Sequence, residues 1–186
     1  MAKDKELVTL GSGDIYLNSL IVGYTKGDTV LTVTSTREGF MPNGEKSYMK
    51  YFTTEQIAQI KFNIAQLDVA NLRYALGITT AALSSSSFPA YDPSSYSATA
   101  GDSFDIQKFG GEDLSLEVPL RFEHTIPGTT KKIIVVFYVA VCISDFNVEF
   151  KEKEIVIPEM TWEALVDTSR SSGDKLGFIA RTVDQT

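Results

Sequence analysis

Residues able to do chemistry are few in this 186-residue chain. His124 is the only histidine and Cys142 the only cysteine. One imidazole and one thiol do not assemble a zinc site, which takes three or four nitrogen and sulfur ligands. A lone cysteine forms no intrachain disulfide. His124 follows Glu123 at the end of an alternating segment and reads as a surface or turn residue. One histidine could serve a Ser–His–Asp arrangement, but no Gly-x-Ser-x-Gly elbow accompanies it. Cys142 lies inside an apolar run, where a thiol is an inert core filler. Gly11-Ser12-Gly13 lacks the lysine and the length of a phosphate loop and reads as a hinge after a flexible N-terminus, residues 1–13. Lys26-Gly27-Asp28 reads as a β-turn. Asp102, Asp105, Glu112, Asp113 and Glu117, opposed by Lys108 alone, could attract calcium. They lack the Asp-x-Asp-x-Asp-Gly spacing, so a solvated acidic face is the better reading. This inventory implies no catalysis, no metal and no cofactor.

The elements that would position such residues are mostly strands. The chain has the length of one domain and can bury roughly 70% of its unfolded surface without staples. Its net charge of −7 argues against a general nucleic-acid-binding surface, which must neutralise phosphates. The opening residues are polar, with no apolar signal region after them. The longest apolar run, Ile133 to Ile143, falls short of the ~20 residues a membrane helix needs, so no membrane partner is expected. The single cysteine fits folding in a reducing cytoplasm.

Period-two patterning dominates. Leu114, Leu116, Val118, Leu120 and Phe122 alternate with Ser115, Glu117, Pro119, Arg121 and Glu123, giving one greasy and one wet face. Pro119 supplies no N–H, which predicts an edge or bulged strand. Strands are also expected over Asp14–Gly23, Thr29–Ser35, Ile57–Leu67, Asp145–Phe150, Ile155–Val166 and Leu176–Ala180. A hairpin at Pro127-Gly128 returns into Ile133–Ile143. That run has no wet face, so one side is expected on the core and the other on another subunit. Ile134, Val136 and Tyr138 are the candidate interface residues of this run. One helix is expected, Val69–Leu76, with Asp68 as N-cap and Gly77 as left-handed C-cap. Arg37–Phe52 reads as a long loop or an extended hairpin. Thr79–Asp113 reads as a long irregular insert, with Ser84 to Ser87 a flexible stretch. Its Phe88, Tyr91 and Tyr96 are further candidate interface residues, because loops beyond about 12–15 residues are usually functional or disordered.

Two stretches resemble the major tail tube proteins of long-tailed bacteriophages. The first is a strand running into Asp68-Val69-Ala70-Asn71-Leu72-Arg73-Tyr74-Ala75-Leu76-Gly77. The second is Glu154-Ile155-Val156-Ile157-Pro158, then Trp162-Glu163-Ala164-Leu165-Val166-Asp167, then Arg170 to Gly173 and a short last strand. The resemblance spans most of residues 55–182. It implies a mainly β, antiparallel sandwich- or barrel-like single domain over 1–186, with one short flanking helix and long loops. It further implies hexameric rings stacked into a hollow tube, located in the virion tail and assembled in the bacterial host cytoplasm. Its partners would be further copies of itself, a tape-measure protein and other tail proteins, with DNA crossing the lumen unbound.

Physical reasons agree with such a conduit. Head-to-tail contacts that do not close produce filaments, and strand edges joined between copies stop being aggregation sites. Duplex DNA carries one negative charge per ~1.7 Å, so an acidic wall repels it where a basic wall would hold it. Strand alternation nominates Glu117, Glu123 and Glu149 as lumen-facing acids. The alternatives are a monomeric β-sandwich binding carbohydrate, a small barrel with an apolar ligand cavity, and a distal-tail or terminator protein of the same fold. A contractile-tail or secretion tube is a further variant.

Overall fold

The computed structural model describes residues 13–22, 25–64, 72–74, 76–78, 83–85, 104–106, 115–145 and 158–182. They form β1 (Asp14–Leu17), β2 (Leu20–Ile21), β3 (Val30–Phe40), β4 (Lys50–Asn63), β5 (Leu83–Ser85), β6 (Phe104–Ile106), β7 (Val118–Thr125), β8 (Lys132–Cys142), β9 (Glu159–Leu165) and β10 (Gly177–Arg181). Eight of them make one antiparallel sheet in the order β2-β1-β7-β8-β9-β4-β3, with β10 added beside β8. The chain is therefore mainly β. No pairing between β2 and β3, the two ends of this path, closes the sheet among the described residues.

Side-chain alternation gathers the core on one face of the sheet. Ile15 and Leu17, Leu120 and Phe122, Val135 and Phe137, Met160, Trp162 and Ala164, and Ala58, Ile60 and Phe62 are all buried in one cluster. Register explains why they meet: Leu17 opposes Leu120, Leu120 opposes Phe137, and Trp162 lies between Cys142 and Ile60. On the wet face the same register joins Lys61 to Glu159 at 2.8 Å and Gln59 to Glu163 at 2.7 Å. A slip by one residue would bury those charges, so the two faces fix the pairing together.

Pro119 occupies a bulge, as one of the two sequence readings required. The ladder shifts between Val118 and Leu120, where β8 has an extra residue and the missing N–H costs no bond. The edge reading fails, because β7 is interior, between β1 and β8. The expected single strand over Asp14–Gly23 is instead a tight hairpin: Asn18 and Ser19 adopt φ of 49° and 68°, which turns the chain back at Leu20. Arg37–Phe52 resolves as the hairpin. Helical backbone is present at 72–74, and its end is a Schellman cap. Gly77 stands at φ 65°, the Ile78 amide donates to the Arg73 carbonyl at 2.9 Å, and the Gly77 amide donates to that of Tyr74 at 3.3 Å. Asp68 lies outside the described residues. Within the expected irregular insert, β5 and β6 pair as a separate two-stranded ladder, so Ser84 and Ser85 belong to a strand.

The C-terminal strand is placed by one glycine. β10 runs antiparallel to β8, with Gly177 opposite Phe137 and Phe178 opposite Val136. A methyl group on Gly177 would collide with the backbone carbonyl of Val136. Both contacting groups are main chain, so neither can swing aside. Gly177→Ala should therefore cost about 1–3 kcal/mol, the range for overpacking, in a denaturant titration. A loss below ~0.5 kcal/mol would mean that β10 does not sit this close to β8.

Candidate assembly surfaces

The most unusual feature is a long arm. β3 and β4 pair from Val30↔Lys61 to Phe40↔Lys50, but β9 accompanies β4 only from Asn63 to Gln59. Beyond that point the two strands continue as a free hairpin. Its tip turns at Pro42 to Glu45, where the Glu45 amide donates to the Pro42 carbonyl at 3.2 Å and Gly44 takes φ 92°. The register shifts between Thr36 and Arg37, so side chains beyond the shift change face. Gly39 leaves room for the Tyr48 ring on the strand surface, and Tyr48 tilts against Tyr51 at 5.4 Å between centroids. On the other face the Lys50 ammonium lies 5.2 Å above the Phe52 ring. Phe40, Met41, Tyr48, Met49, Tyr51 and Phe52 are all at least half exposed, and Met49 reaches 76%. Concentrated apolar exposure of this kind marks an interaction site.

A second apolar surface lies on the wet side of β8. Ile134, Val136 and Tyr138 occupy this outer face and are half-buried, while Val135 and Phe137 point into the core. Phe178 extends the stripe from β10, 5.9 Å from the Tyr138 ring, and is 45% exposed. The three residues nominated from the apolar run thus share one surface. Phe88, Tyr91, Tyr96 and Glu149 lie outside the described residues.

The acidic candidates differ in environment. Glu117 stands exposed just before β7, with no ion pair among the described residues. Glu123 is held by two cations, Arg121 at 3.1 Å and Lys132 at 2.8 Å, and its side chain is only 12% exposed. Arg121 also stacks 4.2 Å over Tyr16. Glu123 therefore presents a neutralised cluster where Glu117 presents net negative charge. His124 corrects the expectation of a surface or turn residue: it is 5% exposed. Its parity with Leu120 and Phe122 carries it to the core face, a signal already present in the alternation. Cys142 is half-buried, and burial pushes its thiol above the usual range, which leaves it a poor nucleophile. Among the described residues no group of three or more His, Cys, Asp or Glu is placed to hold a metal.

Between β10 and the root of the arm the sheet wall opens into a cleft of about 440 Å³. Leu31, Val33 and Ala58 line one side, Val135 and Phe137 the floor, and Ile179 the other side. The segment 166–176 forms a latch at its end. Arg170 lies 3.3 Å over the Tyr138 ring and reaches Asp167 and Asp174, each at 3.3 Å. The Tyr138 hydroxyl donates to Asp174 at 2.6 Å. Asp167 accepts from the Ser169 hydroxyl at 2.6 Å and its amide at 3.0 Å. The Ser169 hydroxyl and amide bonds, with Arg170 nearby, hold the Asp167 carboxyl below the ordinary value. Its contribution is thus present above the unfolded-state value and lost as pH falls through the lower folded one. The bond to Asp174 pushes Tyr138 the other way, above the ordinary tyrosine value. Residues 167–174 are locally no more than a Ser-, Gly- and charge-rich run, and it is β10 lying beside β8 that makes them a latch.

Tyr138 is thus an internal reporter of the latch. Asp174→Ala should lower its pKa toward the ordinary tyrosine value in an ultraviolet titration, with Tyr138→Phe identifying the transition. An unmoved titration would mean that the hydroxyl does not donate to Asp174.

No protein-family model matches this chain, and no curated protein is significantly similar to it.

Proposed function

We propose that this chain is a structural subunit that assembles with copies of itself into a hollow tube of the phage-tail kind, probing no substrate and holding no cofactor. The observation that carries the reading is the arm: a two-stranded hairpin with aromatic and methionine side chains on both faces and at its tip, each at least half exposed among the described residues. Leaving such a surface in water is unfavourable by roughly 25 cal/mol per Å² of apolar area, and burial against identical neighbours recovers it. The outer stripe of β8 and β10 supplies a second contact surface on a different part of the molecule. Two non-equivalent surfaces are what a ring that also stacks requires. The net charge of −7, with Glu117 exposed and without an ion pair among the described residues, suits a wall along which phosphates slide. Tape-measure and other tail proteins are the further partners this reading carries, with the virion tail as its location.

Negative-stain microscopy of the concentrated protein tests it. Long hollow tubes built of repeating rings are expected. Combined Phe40→Ser, Tyr48→Ser and Met49→Ser should abolish long tubes while changing domain stability by no more than about 0.5 kcal/mol, as for surface substitutions. Monomers at every concentration would overturn the proposal.

A further inference from the structure

We infer that the cleft between β10 and the root of the arm is the seat for the arm tip of a second copy of this chain. The inference rests on the assembly reading above and adds the receiving surface to it.

The first observation is reach. Leu31, Val33 and Gln56 belong both to the cleft wall and to the root of the arm. From Gln56 the strand runs six residues to Lys50 before the tip loop begins. At ~3.3 Å per residue the tip stands about 20 Å from its own cleft. Pairing out to Phe40↔Lys50, broken only by the bulge at Thr36 and Arg37, holds the arm as an extended ladder away from the cleft. An apolar tip and an apolar cleft on one chain, out of each other's reach, meet only between copies. Each copy then gives one tip and receives one, which is a heterologous contact and propagates.

Charge is the second observation. Among the described residues, Lys175 is the only charged one lining the cleft. It makes no ion pair among the described residues, whereas the neighbouring Arg170 is satisfied by Asp167 and Asp174. On the arm tip Glu45 is exposed and equally without an ion pair. The lone cation at the rim of the apolar cleft is complemented by Glu45, the one carboxylate of residues 41–49, which stands beside the exposed Lys46. Exclusion of water around the pair strengthens it.

The third observation is the open strand edge. The Tyr138 amide donates to the Leu176 carbonyl and the Thr182 amide to that of Lys132, both at the even-numbered positions of the β10 register. Gly177 and Ile179 therefore direct their backbone groups away from β8, into the cleft. Across it, β4 from Lys50 to Gln56 has no strand on that side among the described residues. Edges of this kind accept an added strand, and a visiting hairpin supplies one. Met41 and Met49 flank the tip, and their unbranched chains fill irregular apolar space.

Charge exchange tests the pairing. Lys175→Glu and Glu45→Lys, singly, should each cut the assembled fraction by about tenfold in sedimentation at a concentration where the wild type assembles, because each brings like charges together. The double variant should recover to near the wild-type fraction. Near-ultraviolet circular dichroism verifies that all three fold. A second measurement does not depend on these charges. A tip variant (Tyr48→Ser with Met49→Ser) mixed with a cleft variant (Ile179→Arg) still contains one intact tip and one intact cleft. The mixture should form tip-to-cleft pairs that do not lengthen. Single variants that assemble like the wild type, or a double variant no better than the singles, would overturn the cleft as the seat and leave self-assembly standing. A wild type that never assembles would overturn both. Anilinonaphthalene sulfonate should bind the cleft of the dilute protein and be released on assembly. Its retention at full occupancy in assembled protein would also overturn the seat.

Discussion

A strand edge can hydrogen-bond to only one neighbour at a time, and β8 spends one edge on two. β7 takes its first edge from Lys132 to Ala140. The second is shared end to end, with β9 opposite Val139 to Cys142 and β10 opposite Ile133 to Phe137. β4 pairs with β9 but has no place beside β8, so where β9 stops, β4 and its partner β3 must leave the sheet. The same substitution of β10 for β9 leaves a gap between β10 and the departing strands. Arm and cleft are two outcomes of one pairing pattern, and Gly177 is the residue that lets β10 approach closely enough to impose it.

The energetic consequences follow from where apolar surface ends up. The core face is well supplied: Trp162, Ile60 and Leu120 are fully buried, and on the opposite face cross-strand ion pairs stand beside the apolar stripe of β8. The domain therefore has no need of the arm for its own stability. Pairing fixes the backbone at Phe40, Tyr51 and Phe52, so burying these rings against a partner would cost side-chain freedom only. That matters because association costs several kcal/mol in rigid-body freedom before any contact is gained. The latch works in the same direction. Arg170, Asp167, Asp174 and Tyr138 set the end wall of the cleft in advance, so the cleft is formed before anything enters it.

Much of the fold was legible from alternation. Leu120 and Phe122, Met160, Trp162 and Ala164, and Ile60 and Phe62 all lie inward as their spacing requires. Gly77 caps its helical turn for the reason its position predicts. The outward placement of Ile134, Val136 and Tyr138 follows from the absence of a wet face in Ile133–Ile143. Other features were less visible because they depend on non-local pairing. Asn18-Ser19 carries no glycine, so the first turn was hidden in an apparently continuous strand. His124 continues the inward parity of β7, but its polarity disguised it. The arm had a local signal in Asn43-Gly44 flanked by aromatics, which marks a hairpin. Its projection from the body could not be read from that signal, since it depends on where β9 ends. The cleft and latch are products of the β8–β10 register, which no local pattern encodes.

The central claim is that the arm is covered only by another copy of the chain. Hydrogen exchange measured across a concentration series reads this directly. Amides of the arm tip, residues 41–49, should exchange fast in dilute protein and slow sharply as assemblies form, while the core amides of β7 and β8 stay equally protected throughout. Tip amides that exchange equally fast in dilute and assembled protein, or that are already protected in the monomer, would contradict the account.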